Sequence, residues 1–243
     1  MKIVFLGTNG WFDTPLANTV CILIQTDKVN IIFEAGSGIY KLDNHIKNKN
    51  PIYLFLSHLH LDRIIGLYLL AKFNFPQGMP IFVSPRTKVF LKRIISHHYT
   101  MPFKRLKFSV KVKEFCRKNF SSFRVGGYKL RHSSICWGYR AEIEGEIIAY
   151  GVDTGVCSNL YKLAEKVDIF IAECFCPPTK KSTDWFHLNP ETAAKVAKRS
   201  SVKKLFLTHF DAYLYPTKKR RKMAEKWAKE IFPYSYASYD DMV

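Results

Sequence analysis

Short runs of apolar, often β-branched residues recur along the chain, each bounded by turn formers. KIVFL, TVCILIQ, VNIIFE, IYLFLS, PIFVS, EIIAYG, DIFIAE and KKLFLTH all read as buried strands. Helical spacing lies between them. IIGLYLLAKF follows Asp62. SPRTKVFLKRIISHH offers Ser84 as a cap and Pro85 in the first turn. PETAAKVAKR starts behind Asn189, with Pro190 at the first helical position and Glu191 in the first turn. A last helix is expected over about residues 217–231, with Lys218, Lys219, Arg220, Arg221 and Lys222 at its start.

Hairpin patterns at 19–34 and 128–151 combine with strand–helix alternation near both ends. That mixture is neither purely antiparallel nor doubly wound. It predicts an α/β fold of two sheets packed face to face with helices outside, in one domain over 1–243. Residues 86–118 are rich in Lys and Arg and nearly free of acid, and read as a helix plus an exposed irregular arm.

Composition narrows the class. Of 243 residues, 47% are hydrophobic, enough for a sizeable core, yet no apolar run approaches the roughly 20 residues of a membrane span. The opening MKIVFLGTNGW has too short an apolar run for a leader and is broken by Gly7, Asn9 and Gly10. It reads as the first strand, which predicts a cytoplasmic chain. The six cysteines are scattered and expected to be reduced. Cys174 and Cys176 form a C-x-C without a partnering C-x-x-C, a weak metal signal. A formal charge of +18 draws polyanions or phosphorylated molecules, or describes a lysine-rich solvated surface.

The chemistry gathers at strand ends. IYLFL runs into SHLHLD, putting His58, His60 and Asp62 where loops build sites; imidazoles with a carboxylate suit Zn, Fe or Mn. His132 ends YKLRH, Asp153 follows EIIAYGV, and His209 follows KKLFLT. A carboxylate at the end of a buried strand is costly unless paired or metal-bound. Six metal-competent residues at converging strand ends predict a metal site.

FLGT, H-x-H-x-D, an isolated His, G-x-D-T-G and LTHF, in that order, resemble the metallo-β-lactamase superfamily. The His187 segment DWFHLNPETAAKVAK and the tail YDDM resemble its ribonuclease Z and cyclic phosphodiesterase branch. The match runs from Met1 to Val243. The resemblance implies a four-layer αβ/βα sandwich with the site at one edge of the two sheets. It implies that His58, His60 and His132 hold a first metal, that Asp153 bridges, and that Asp62, Asp153 and His209 hold a second. Zinc is the expected metal, with Mn or Fe as alternatives, and a metal-bound hydroxide would attack phosphorus. His187 would contact or protonate the leaving oxygen.

The chain departs from the branch in three places. Asn189 stands where the branch has Ser or Thr. Arg63 stands where H-x-H-x-D-H has its last, metal-ligating His, and an arginine cannot ligate. The second metal then binds weakly, or Arg63 serves as the second positive charge near a phosphate, or Arg63 pairs with Asp62 or another acid on the outer face of the next helix. One tightly held metal is expected rather than two. Finally, only residues 133–152 separate His132 from Asp153, too few for the long tRNA-gripping arm of ribonuclease Z. The expected activity is a metal-dependent phosphodiesterase acting on a cyclic or small phosphodiester, or on an RNA or DNA end. A homodimer is in keeping with the branch. A lactone, thioester or other ester hydrolase and a weakened nucleic-acid-binding homologue are the alternatives.

Overall fold

The computed structural model describes residues 1–178 and 186–243. Asp184 and Trp185, the first residues of the quoted His187 segment, lie outside them.

Elements follow in chain order. Strands β1 (Lys2–Gly7), β2 (Asn9–Gly10), β3 (Cys21–Gln25) and β4 (Asn30–Phe33) lead into a 3₁₀ turn at Ser37–Lys41 and helix α1 (Leu42–His45). Next come β5 (Ile52–Phe55), α2 (Leu61–Ile64), a 3₁₀ stretch at Ile65–Lys72, β6 (Ile81–Val83), α3 (Lys88–Ile94), and β7 (Val112–Glu114). The second half holds β8 (Arg117–Asn119), β9 (Phe123–Lys129), β10 (Trp137–Ile143), β11 (Glu146–Gly151), α4 (Ser158–Ala164) and β12 (Ile169–Glu173). It closes with α5 (Pro190–Arg199), β13 (Lys204–Thr208), β14 (Phe210–Asp211), α6 (Lys218–Lys229) and β15 (Ser235–Ala237).

One sheet has the order β1-β3-β4-β5-β6-β7, the other β15-β13-β12-β11-β10-β9-β8. Their inner strands are apolar on both faces, unlike the exposed edge strand β8, and the alternation assigns each face a partner. On β1, Val4 and Leu6 join the core beneath the helices of the first half, whereas Phe5 joins the core between the sheets. On β11 and β12, Ala149, Phe170 and Ala172 face the second set of helices, while Ile148, Tyr150 and Ile171 face inward. Three cores separate four layers, which is the predicted αβ/βα sandwich. Aromatic rings fill the middle one. Phe33 stacks on Tyr150 with centroids 4.9 Å apart, and Phe55 on Phe82 at 4.9 Å.

Several predicted boundaries shift, for local reasons. The helix expected after Asp62 is one α-turn continued as 3₁₀. Ile64, Leu67 and Leu70 are buried at a spacing of three, which a 3₁₀ helix turns onto one face. Gly66 allows the close approach: a Cβ there would lie 2.2 Å from the Gly36 carbonyl. The helix expected from Ser84 begins at Lys88. Arg86 adopts φ +69°, which breaks any helix, and Ser84 Oγ donates to the Ser57 carbonyl at 2.7 Å. The basic arm is more ordered than expected, because its end supplies β7 to one sheet and β8 to the other. Asn189 caps α5 as predicted: its side chain accepts from Thr192 N–H at 2.9 Å, and Thr192 Oγ1 accepts from Asn189 N–H at 2.8 Å.

Candidate metal centre

The site lies where the strand ends of both sheets meet. From the first sheet, β5 ends in a loop whose Ser57 peptide is fixed from several sides. Its N–H donates to both carboxylate oxygens of Glu34, at 3.1 and 3.3 Å. Its carbonyl accepts from Ser84 Oγ and from Trp137 N–H. The following His58 ring is steadied by Ser57 Oγ, 2.9 Å from its Nδ1. His60 then caps α2, whose single turn carries Asp62 and Arg63. The second sheet supplies the rest. Asp153 follows β11. Gly155 N–H donates to the Arg131 carbonyl at 2.8 Å, and this brings His132 beside Asp153. Glu173 ends β12 and His209 follows β13. His187 is positioned from β12's end, where Phe175 N–H donates to the Leu188 carbonyl and the Phe175 ring stacks on His187 at 4.1 Å.

All eight residues singled out in the sequence, His58, His60, Asp62, Arg63, His132, Asp153, His187 and His209, therefore share one site. Two groups of potential metal ligands form among the described residues, both containing Asp153. One is His58, His60, His132 and Asp153; the other is Asp153, Glu173, His187 and His209. In each, one donor atom per residue lies within 4.8 Å of the others.

The first group suits a divalent cation. His132 Nδ1 is buried without a hydrogen-bond partner, and such an orphaned nitrogen costs free energy unless something fills the coordination; His58 Nε2 faces Asp153 Oδ2 at 3.1 Å. Burial pushes the His132 imidazole down to about 4, and burial with the nearby His58 also lowers His60. Both rings are thus neutral and offer lone pairs at physiological pH. His132 Nε2 and His60 Nδ1 stand 3.4 Å apart.

The second group is already engaged. His187 Nδ1 lies 2.6 Å from Glu173 Oε2, and Thr154 N–H donates to Glu173 Oε1 at 2.5 Å. Burial alone would lower the His187 pKa, but the Glu173 carboxylate outweighs it and raises it. Burial likewise opposes the charged form of Asp153, yet Arg63 and His209 hold its carboxyl well below the usual range. Asp62 is held low in the same way, chiefly by Arg63 against burial.

Arg63 does not lie on the outer face of its helix. It is fully buried, with Nε 3.1 Å from Asp153 Oδ2, Nη2 2.5 Å from Asp153 Oδ1 and Nε 3.7 Å from Asp62 Oδ2. Pairing with acids was one of the alternatives, there placed on the outer face of the helix; the pairing is observed, but directed inward. The helix turn fixes it, since Ile64 must enter the core and Leu61 is left exposed.

Two buried acids beside the site carry no expectation from the sequence. Glu34 and Glu173 are both fully buried. The signal that exposed Asp153, an acid closing an apolar strand, was present in VNIIFE and DIFIAE as well. Backbone strain also marks the site. Glu34 (φ +65°), Asp153 (φ +54°) and His209 (φ +52°) occupy left-handed conformations, at about 1–3 kcal/mol each, a cost that persists only where the surroundings enforce it. Gly10 lies against the His209 ring, where a Cβ would come within 2.4 Å of Nε2.

Residues 30–210 match the family model of the beta-lactamase superfamily domain. The chain belongs to the beta-lactamase superfamily. Within this superfamily it aligns with a ribonuclease Z of Bacillus licheniformis at 24% identity, over 99% of this chain and 97% of the relative. That alignment is longer than this chain, so the relative carries segments that this chain lacks. Among solved structures, the metallo-beta-lactamase fold protein YhfI from Bacillus subtilis superposes with a TM-score of 0.82 at 18% identity, covering 99% of this chain and 97% of YhfI. A diphosphatase of the PhnP family superposes at 0.77 with 15% identity, covering 99% and 95%. These matches place the chain on the ribonuclease Z-like branch of the superfamily, as a hydrolase with the sandwich fold. No helix among the described residues is long and apolar enough to cross a membrane.

Proposed function

We propose that the chain is a metal-dependent phosphodiesterase that acts on a small or cyclic phosphodiester, or on a nucleic-acid end. The observation that carries this reading is the pairing of a three-imidazole, one-carboxylate cluster with the buried Glu173–His187 dyad at 2.6 Å. One divalent ion, zinc or else manganese or iron, fits His58, His60, His132 and Asp153. Such an ion supplies Lewis-acid polarisation of a phosphoryl group and an acidified water. The protein's own residues do the rest. Glu173 fixes the His187 ring through Nδ1 and stabilises its protonated form, so Nε2 carries the proton for a leaving oxygen. Asp62 and Asp153 take His209 between them, with Nε2 3.1 Å from Asp62 and Nδ1 2.9 Å from Asp153, and hold that ring in place. Arg63 adds fixed positive charge beside Asp153.

Ribonuclease Z among the relatives and the PhnP-family diphosphatase among the structures support phosphorus over carbon as the reacting centre. The short 133–152 connection, almost wholly used by the β10–β11 hairpin, leaves no room for a long arm and favours a compact substrate. Hydrolysis of bis-p-nitrophenyl phosphate should be supported by Zn, Mn or Fe and should exceed that of lactone, thioester and p-nitrophenyl ester substrates. Ester turnover without phosphodiester turnover would overturn the proposal.

A further inference from the structure

The two-metal arrangement implied by the resemblance would set a second ion among Asp62, Asp153 and His209. Those residues do not fit a second ion here, because a cation is already built in. The Arg63 guanidinium reaches both Asp153 oxygens, at 3.1 and 2.5 Å, and approaches Asp62 Oδ2 at 3.7 Å. His209 spans the same two carboxylates from its two ring nitrogens. An ion drawing on these oxygens would stand beside a buried, fully desolvated guanidinium that cannot lose its proton. Burial removes the water that would otherwise screen the repulsion. The main chain beneath Arg63 is pinned, since its N–H donates to the His60 carbonyl and its carbonyl accepts from Ala35 N–H after β4, and the fully buried side chain is held by Asp153.

One further detail points to a role beyond filling space. Arg63 Nη1 is buried at the site and has no hydrogen-bond partner. A guanidinium with its Nε edge on a carboxylate and an Nη donor unspent is shaped to receive a phosphoryl oxygen.

We infer that Arg63 is the second cation of the site: the protein holds one divalent ion, and the Arg63 guanidinium takes the place of the other and donates from Nη1 to the phosphoryl group. The inference rests on the metal reading above, but its test needs no substrate. Chelator-stripped protein is loaded with Mn²⁺, passed through a desalting column, and read by elemental analysis and electron paramagnetic resonance. The wild type is expected to retain one equivalent with the six-line spectrum of an isolated ion. Arg63→His, which supplies an imidazole and removes the charge, is expected to retain two with a spin-coupled spectrum. Arg63→Lys, which keeps the charge, is expected to stay at one. Two equivalents in the wild type overturn the inference, even if Arg63→His fails to fold. So does a folded Arg63→His protein that stays at one. No retained metal in any form overturns the inference and the metal reading together. One equivalent with no phosphodiester turnover would leave Arg63 as the built-in charge and overturn the proposed activity together with the Nη1 contact to a phosphoryl group.

Discussion

Glu34 accepts the Ser57 N–H through both carboxylate oxygens, at 3.1 and 3.3 Å, in a place where neither residue reaches water. The bond fixes the Leu56–Ser57 peptide, one residue ahead of His58, so an acid outside the proposed ligand set helps to place the first imidazole. Burial raises the Glu34 pKa, and the Arg63 charge opposes that rise. Glu34→Ala leaves a buried N–H without a partner, at about 1–3 kcal/mol. Outer-shell partners of ligands typically carry about 10–100-fold in metal affinity. Urea denaturation should show that loss of stability, and competition with a zinc chromophore should show weaker binding. Glu34→Gln, which keeps an acceptor, should retain most of both.

The Glu173–His187 dyad separates chemistry from metal binding. His187→Ala should lower kcat on bis-p-nitrophenyl phosphate by roughly 10²–10⁴-fold, the usual reach of a positioned proton donor. Metal content should stay at the wild-type value. Parallel loss of metal would show His187 to be a ligand instead.

Gly10→Ala should act on the site without changing any charge. The added Cβ would come within 2.4 Å of His209 Nε2 and 2.6 Å of Cδ2, so the ring that joins Asp62 to Asp153 must move. The expected outcome is a large fall in kcat/KM with a small change in melting temperature. Unchanged kinetics would show that the ring can shift freely.

The cap of α5 gives a prediction confined to stability. Asn189→Ala removes the side-chain half of the capping box, the acceptor of the Thr192 N–H, while the backbone N–H at 189 still donates to Thr192 Oγ1; the change should cost about 1 kcal/mol in urea denaturation. Asn189→Ser should recover most of it, since serine accepts the same bond.

The basic surface tests the nucleic-acid version of the substrate. Lys218, Lys219, Lys222 and Lys226 lie along one open hollow on α6. Binding of single-stranded RNA should weaken steeply with salt, and replacing the four by Gln should flatten the slope of log K against log salt. No binding at low salt would confine the substrate to small phosphodiesters.

The sandwich was legible because its inner strands, β3, β4, β6 and β12 among them, are buried on both faces, and such runs stand out in any sequence. VCILI and IFIAE could be nothing else. The ligands were legible because each closes such a run. What escaped was set by contacts distant in sequence. Arg63 points inward because its helix turn must bury Ile64, and Asp153, the acid that receives its guanidinium, follows a strand of the second sheet ninety residues on. Glu34 and Glu173 carried the same strand-end signal as Asp153, but no motif drew attention to them. The 3₁₀ stretch at Ile65–Lys72 depends on Gly66 meeting the Gly36 carbonyl, a contact that local spacing cannot show.

The four residues proposed to hold the ion come from opposite sides of the sandwich. His58 and His60 follow a strand of one sheet; His132 and Asp153 flank strands of the other. An ion bound by all four would therefore be a cross-strap between the two halves of the molecule, as well as a reagent. Closing the strap and docking the sheets would be a single event. Removing the ion should lower the melting temperature of the whole domain, by an amount that grows with the free metal concentration it is measured against. Wedging the sheets apart between them, where Phe55, Phe82 and Phe115 meet, should in turn loosen the grip on the metal without touching a ligand.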